Sequence, residues 1–483
     1  MNAKELLEGV NAVDDQVLES AVRVRKTPHR RIWRAAIAAI LVVAIGVGAM
    51  IHFGGRAELP LVPVVHALSE AKYPELPPYP DHPSDLEAWN AWHGAMRSLH
   101  GKTCDAASLA PFLRASIGRT LSGAGGDNRL YSPLSSYLAL SMLAELTDGE
   151  SRAQILALLG AERIETLREN AGILWQTHYQ NDAAATSVLA NSLWLNQELS
   201  FRREVIDRLS ESYYASVYQG EMGSKELNEQ LQAWINTQTN NLLEGQTGGL
   251  ETTPESVLSL VNTVSYHARW VAGFSEARTA PASFHGAGGD EICDFMHGDL
   301  SGSYFWFDRF SAIFLEVENG MNWDSGMWLL LPDEGVTPED LLTDAQALDF
   351  LSMTRDQRAA LPNQKPQIIH LSLPKFDVSG ELSLKDSLQA LGVTDVFDAD
   401  KADFSPLSTA AEGFYVSEVR QGLRTAVDEE GITAAAYTYI GLCGSAAPPS
   451  EEIDFILDRP FLFALTGNDG LPLMTGVVNR IAP

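Results

Sequence analysis

The sequence predicts an α+β protein in which one large domain carries helix-like blocks early and strand-like blocks through to its end. Three observations predict it. The chain has 483 residues, is 45% apolar and holds ten tryptophans, enough to build a sizeable core. From about Ala106 onward, helical and strand patterns are mixed with no internal repeat. Near the C-terminal end, the run Glu429-Glu430-Gly431-Ile432-Thr433-Ala434-Ala435-Ala436-Tyr437-Thr438 carries small or apolar side chains with a period of two.

Before that domain the chain divides into three. Residues 1–34 form a basic segment, with Arg23, Arg25, Lys26, Arg30, Arg31 and Arg34 close to its end. Residues 35–53, Ala35 to Phe53, form an apolar run with no formal charge, long enough as a helix to cross about 30 Å of hydrocarbon. The excess of Arg and Lys before the run predicts a cytoplasmic N-terminus and a single pass with the C-terminal domain outside the cell. A cleaved signal peptide is the competing reading, but its leader would be too long and no small-x-small cleavage site closes the run. Residues 54–105 read as a proline-rich stalk with one helix-like stretch, Leu86 to Leu99. Extended, that stalk spans on the order of 100 Å. The globular domain then occupies 106–483.

Charge and cysteine usage exclude several functions. The net charge is -29, and the acidic excess lies beyond the N-terminal segment. Such a domain repels nucleic acid, so no polynucleotide partner is expected. Cys104, Cys293 and Cys443 are too few and too scattered for a disulfide framework or a zinc site. HExxH, GxSxG and GxGxxG motifs are absent, and Gly101-Lys102-Thr103 lacks the first glycine of a phosphate loop, since Met96 stands there. His285 and His297 flank a glycine-rich turn and read as hairpin residues. No catalytic residue, metal or cofactor is implied, and the chain does not read as an enzyme.

Along the domain, Tyr131-Ser132-Pro133 opens a helix with apolar residues at Leu138, Met142 and Leu146, ending at Asp148-Gly149. Ser187 to Leu195, Val257 to Tyr266, Met327 to Leu331, Ile368 to Leu373 and Phe461 to Thr466 read as buried strands. In the alanine-rich run, Ile432, Ala434, Ala436, Thr438, Ile440 and Leu442 share one face, and Thr433, Ala435, Tyr437 and Tyr439 the other. By itself the run fits a strand entering a sheet, an edge strand or a short helix after a glycine turn.

Eight motifs in order decide among these. Asn128-Arg-Leu-Tyr-Ser132-Pro133-Leu-Ser135, Asn262 with Trp270 and Phe274, Leu373-Pro374-Lys375-Phe376, Leu391-Gly392-Val393, Ala402-Asp403-Phe404-Ser405, Val427-Asp428-Glu429-Glu430-Gly431, Asp458-Arg459-Pro460-Phe461, and Gly476 with Asn479 together resemble the serpins over essentially all of 106–483. The resemblance implies the serpin fold: a metastable five-stranded central mixed sheet, additional sheets, about eight to nine helices and an exposed reactive-centre loop. It implies inhibition of a serine or cysteine protease by suicide-substrate trapping, in which the cleaved loop inserts as a new strand. A monomeric domain and a covalent acyl complex with an extracellular protease follow from it. The anchor and compact form point to a bacterial member at the cell membrane.

Roles carry over by position. Glu429 to Ala436 form the hinge, with Glu429 pairing Lys375. Trp270 marks the "breach" at the top of the sheet. Ser132, Ser135 and Asn262 resemble the "shutter" that governs sheet opening, with Gln421 where the family usually has histidine. Glutamine donates and accepts, so the network survives without a titratable member. Ile432 departs from the threonine, serine or valine commoner at the first inserted position. Family spacing puts the reactive bond at Ser445-Ala446, with Leu442, Cys443 and Gly444 as alternatives. No Lys or Arg lies between Arg424 and Arg459, so elastase-like or subtilisin-like proteases are the expected targets. The alternative is a noninhibitory serpin-fold binding module on the cell surface.

Overall fold

The computed structural model describes residues 65–82, 84–102, 104–243, 251–321, 325–411, 413–432 and 451–481. Helices begin where the sequence supplies a cap. The Ser132 side chain accepts the Ser135 amide, and Pro133 occupies a first-turn position whose missing N–H costs no intrahelical bond. Among the described residues there are eleven α-helices. They are α1 (Leu86–Leu99), α2 (Ala106–Leu121), α3 (Pro133–Leu146), α4 (Gly149–Leu158), α5 (Ile164–His178), α6 (Arg203–Ser212), α7 (Lys225–Gln238), α8 (Pro338–Leu341), α9 (Ala345–Ser352), α10 (Arg355–Ala359) and α11 (Lys385–Ala390). The count exceeds the eight to nine that the resemblance implies, and three of the eleven, α8, α10 and α11, have only four, five and six residues. Helix α3 is buried along its whole length and forms the centre of the core.

The strands are β1 (His66–Ser69), β2 (Arg129–Tyr131), β3 (Gln180–Asn181), β4 (Thr186–Asn196), β5 (Ala215–Gly220), β6 (Leu258–Arg269), β7 (Ala280–Gly286), β8 (Gly289–Trp306), β9 (Phe310–Glu316), β10 (Gly326–Pro332), β11 (Gln364–Pro374), β12 (Phe376–Ser383), β13 (Arg420–Val427), β14 (Gly431–Ile432), β15 (Glu452–Ile456), β16 (Phe461–Thr466) and β17 (Pro472–Val478). All five strands read from the sequence are present.

The central sheet is eight-stranded, in the order β1-β5-β4-β6-β14-β13-β12 with β3 on β4. Strands β4 and β5 run parallel and β6 is antiparallel to β4, which makes the sheet mixed. Its five long members are β5, β4, β6, β13 and β12. The second sheet is nine-stranded, in the order β15-β11-β8-β9-β10-β16-β17-β2 with β7 on β8. One buried apolar cluster joins α2, α3 and both sheets.

The stalk reading is corrected from Val65 onward. Strand β1 pairs antiparallel with β5 and extends the central sheet at its edge. Tyr73 stacks on Trp175 at 5.2 Å, Tyr79 meets Trp92 edge-on at 4.9 Å, and Trp92 and Met96 are fully buried. Trp92 Nε1 donates to Asp182 at 2.9 Å. Prolines keep this segment extended, as a linker would be. Its aromatic residues dock it, and their irregular spacing hides that from a periodicity test. The domain therefore begins well before Ala106. The apolar run 35–53 lies outside the described residues. No helix among the described residues is long and apolar enough to cross a membrane.

Candidate functional site

The site forms where β13 turns back into the central sheet. Asp428 makes the turn, its Oδ1 accepting the amides of Glu430 at 3.0 Å and Gly431 at 3.1 Å. Gly431 then enters the sheet opposite Arg269, and Ile432 pairs with Ala268 on one side and Val427 on the other. A Cβ at Gly431 would lie 2.3 Å from the Ala268 carbonyl oxygen, so the close approach admits glycine. Ile432 is 1% exposed. The bulky residue at this departure from the family pattern is thus already seated. Among the described residues, β6 and β13 are joined through the two residues of β14.

Glu429 and Lys375 meet as expected, with Lys375 Nζ 2.8 Å from Glu429 Oε2. Thr279 Oγ1 donates to the other carboxylate oxygen at 2.8 Å. Partial burial pushes the Glu429 carboxyl up, but Lys375, Thr279 and the backbone outweigh it and hold it below its usual range. Lys375 is raised, chiefly by its hydrogen bond to Glu429. Trp270 clamps the same turn from behind: its indole Nε1 donates to the Asp428 carbonyl at 2.9 Å and its amide to the Glu430 carbonyl at 3.0 Å.

Below the hinge lies the second cluster. Gln421 Oε1 accepts the Ser132 amide at 2.7 Å, and its Nε2 donates to the Ser132 carbonyl at 3.2 Å and to Ser136 Oγ at 3.4 Å. Ser132 Oγ donates to the Leu473 carbonyl at 2.5 Å. Ser135 contributes its backbone amide. Asn262 is brought to Asn191 on the neighbouring strand, which it contacts through Nδ2, and Asn191 Nδ2 donates to the Tyr213 carbonyl.

Thr433, Ala434, Ala435, Ala436, Leu442, Cys443, Gly444, Ser445 and Ala446 lie outside the described residues. Asp428, Ser136 and Thr279 are among the participants that escaped the sequence reading. Asp428 could have been found, because Asp three residues before Gly marks an Asx turn. Ser136 and Thr279 carry no such signal, since only the tertiary fold brings them to Gln421 and Glu429. Of the cysteines, Cys104 and Cys293 are free, and burial pushes them up to about 12 and about 11, which leaves neither poised as a nucleophile. Among the described residues no cluster of His, Cys, Asp and Glu could hold a metal.

A mixed central sheet with its hinge seated between two strands, beside a second large sheet, defines a serpin-type molecule. A family model described as serpin (serine protease inhibitor) matches residues 115–481, and the chain belongs to the serpin family. It is 28% identical over 400 residues to the putative serpin-Z12 of Oryza sativa subsp. japonica, an alignment covering 78% of this chain and 91% of that protein. It is 27% identical over 368 residues to serpin-Z2B of Triticum aestivum, covering 74% and 90%. Among solved structures, the native state of tengpin, a thermophilic serpin, matches with a TM-score of 0.67 and 25% identity over 78% of this chain and 95% of that one. A serpin from the trematode Schistosoma haematobium matches in fold, with a TM-score of 0.64 and 19% identity over 78% of this chain and 100% of the other. Membership of the family implies protease inhibition in general.

Proposed function

We propose that the protein is an inhibitory serpin that traps endopeptidases covalently. The observation that carries the reading is the position of Gly431 and Ile432 inside the central sheet between β6 and β13, with Ile432 buried. A hinge that already begins the missing strand needs only extension, and the alanines and threonine after it enter a sheet with little steric or desolvation cost.

The sequence of events balances as follows. The protease serine oxygen attacks the carbonyl carbon of Ser445, the peptide bond to Ala446 breaks, and the amine leaves with a proton. The resulting ester persists if the freed hinge inserts faster than water attacks it. The same events follow a cut at Leu442, Cys443 or Gly444. A cysteine protease would form the corresponding thioester. Small or apolar residues at every candidate bond favour elastase-like or subtilisin-like targets.

The apolar run 35–53, preceded by seven Arg and Lys residues of which six lie between Arg23 and Arg34, supports a single-pass anchor that holds the domain outside a bacterial cell, facing extracellular proteases. Its test is membrane fractionation of the full chain followed by alkaline extraction. Retention in the pellet is expected, and release into the supernatant contradicts the anchor.

Incubation with pancreatic elastase and with subtilisin, followed by denaturing electrophoresis, tests inhibition. A band at the summed mass is expected for at least one of them. A clipped chain alone, with both proteases still active, would leave a noninhibitory binding module.

A further inference from the structure

Trp270 also lines a half-open cleft of about 620 Å³ formed by β8, β9, β10, β11 and α10. That volume falls within the range of small-molecule sites. Phe305, Phe314, Trp328 and Trp270 give it aromatic walls. Arg358, 2% exposed, lines it from α10.

Arg358 is held without a carboxylate. Its Nε donates to the Phe350 carbonyl at 3.0 Å, Nη1 to Gly470 at 2.8 Å and Nη2 to Leu351 at 3.4 Å. Its Cζ lies 5.1 Å from the Trp328 ring centre and 5.2 Å from that of Phe350. A guanidinium has five N–H donors, so two remain without an acceptor among the described residues. A buried cation whose hydrogen bonds all go to carbonyl dipoles gains strongly from an anion. Burial accordingly lowers the guanidinium to about 9, against an opposing pull from Asp469. Of the two carboxylates that line the cleft, Asp299 is committed to Arg278 at 2.9 Å and His370 at 2.8 Å, and Glu316 is likewise engaged.

We propose that this cleft binds a small amphipathic anion, an aromatic carboxylate or sulfonate whose acid group meets Arg358 and whose ring lies against Trp328 and Phe305. An occupant also touches Trp270, which holds the Asp428 and Glu430 carbonyls, so occupancy reaches the hinge. That last link rests on the inhibitory reading, whereas binding does not, and a protein that traps no protease can still pass the binding test.

The probe is 8-anilinonaphthalene-1-sulfonate, compared with the uncharged N-phenyl-1-naphthylamine, each titrated by fluorescence into the folded protein. Gly302→Leu closes the cleft with little strain, because a Cβ there meets only Ile369 Cδ1, at 4.0 Å. Saturable one-to-one binding of the sulfonate is expected, at least tenfold weaker for the neutral probe and at least tenfold weaker in Gly302→Leu. Arg358→Gln, checked for folding by circular dichroism, should abolish the preference for the anion. Absence of saturable sulfonate binding, equal affinity for the two probes, or unchanged binding in Gly302→Leu each overturns the proposal.

Discussion

Gln421 and Ser132, 289 positions apart, exchange two hydrogen bonds: the Ser132 amide donates to Gln421 Oε1 at 2.7 Å, and Gln421 Nε2 donates to the Ser132 carbonyl at 3.2 Å. This reciprocal pair ties β13, next to the hinge, to the start of the most buried helix. It needs both a donor and an acceptor on one side chain, which glutamine supplies at every pH.

Gln421→Ala leaves the buried Ser132 amide without its acceptor. A loss of about 1–3 kcal/mol is expected by urea denaturation, the cost of an unsatisfied buried donor.

The hinge ion pair has a definite pH window. Glu429 is depressed, so its contribution is present above the unfolded carboxyl range and fades as pH falls through the folded value. Lys375 is raised, so its contribution is present below the unfolded amine value and fades as pH rises through the folded one. The stability difference between the parent and Glu429→Gln should therefore be flat near neutrality and shrink on acidification. Lys375 is partly exposed, which limits the plateau to roughly 1 kcal/mol. Denaturation midpoints measured from pH 3 to 8 check this, and a difference that grows toward acid contradicts it.

Glu145 on α3 is 1% exposed and receives Arg168 at 2.6 and 3.1 Å, Arg208 at 3.2 Å and the Tyr213 hydroxyl at 2.9 Å. Glu145→Ala strands two guanidinium groups. A loss of about 3–5 kcal/mol is expected, with Glu145→Gln retaining part of it.

The docked N-terminal segment contributes packing energy. Trp92→Ala empties a fully buried site and should cost about 3–5 kcal/mol by thermal or chemical unfolding. An unchanged midpoint would return residues 66–100 to the role of a linker.

The sequence reveals most of what is local. Ser132-Pro133 announces its helix, short apolar runs announce the buried strands, and the motif order brings Glu429 to Lys375 before any contact is known. What it hides is long-range. Nothing in His66–Ser69 distinguishes an edge strand from an extended linker, because its partner β5 lies about 150 residues on. Asn262 reads as a shutter residue, yet the register of β4 against β6 sets it opposite Asn191. Glu145 carries no signal in the sequence, and the helix that holds it turns out to have no exposed side.

Insertion of the hinge is the central claim, and Ala434→Arg tests it most directly. A charge cannot enter the packed sheet unpaired without a cost of several kcal/mol. Parent and variant are incubated with subtilisin and resolved by denaturing electrophoresis. The parent should run largely as the covalent complex and the variant almost wholly as the clipped chain. A variant that forms the complex in the parental proportion would contradict insertion as the source of inhibition.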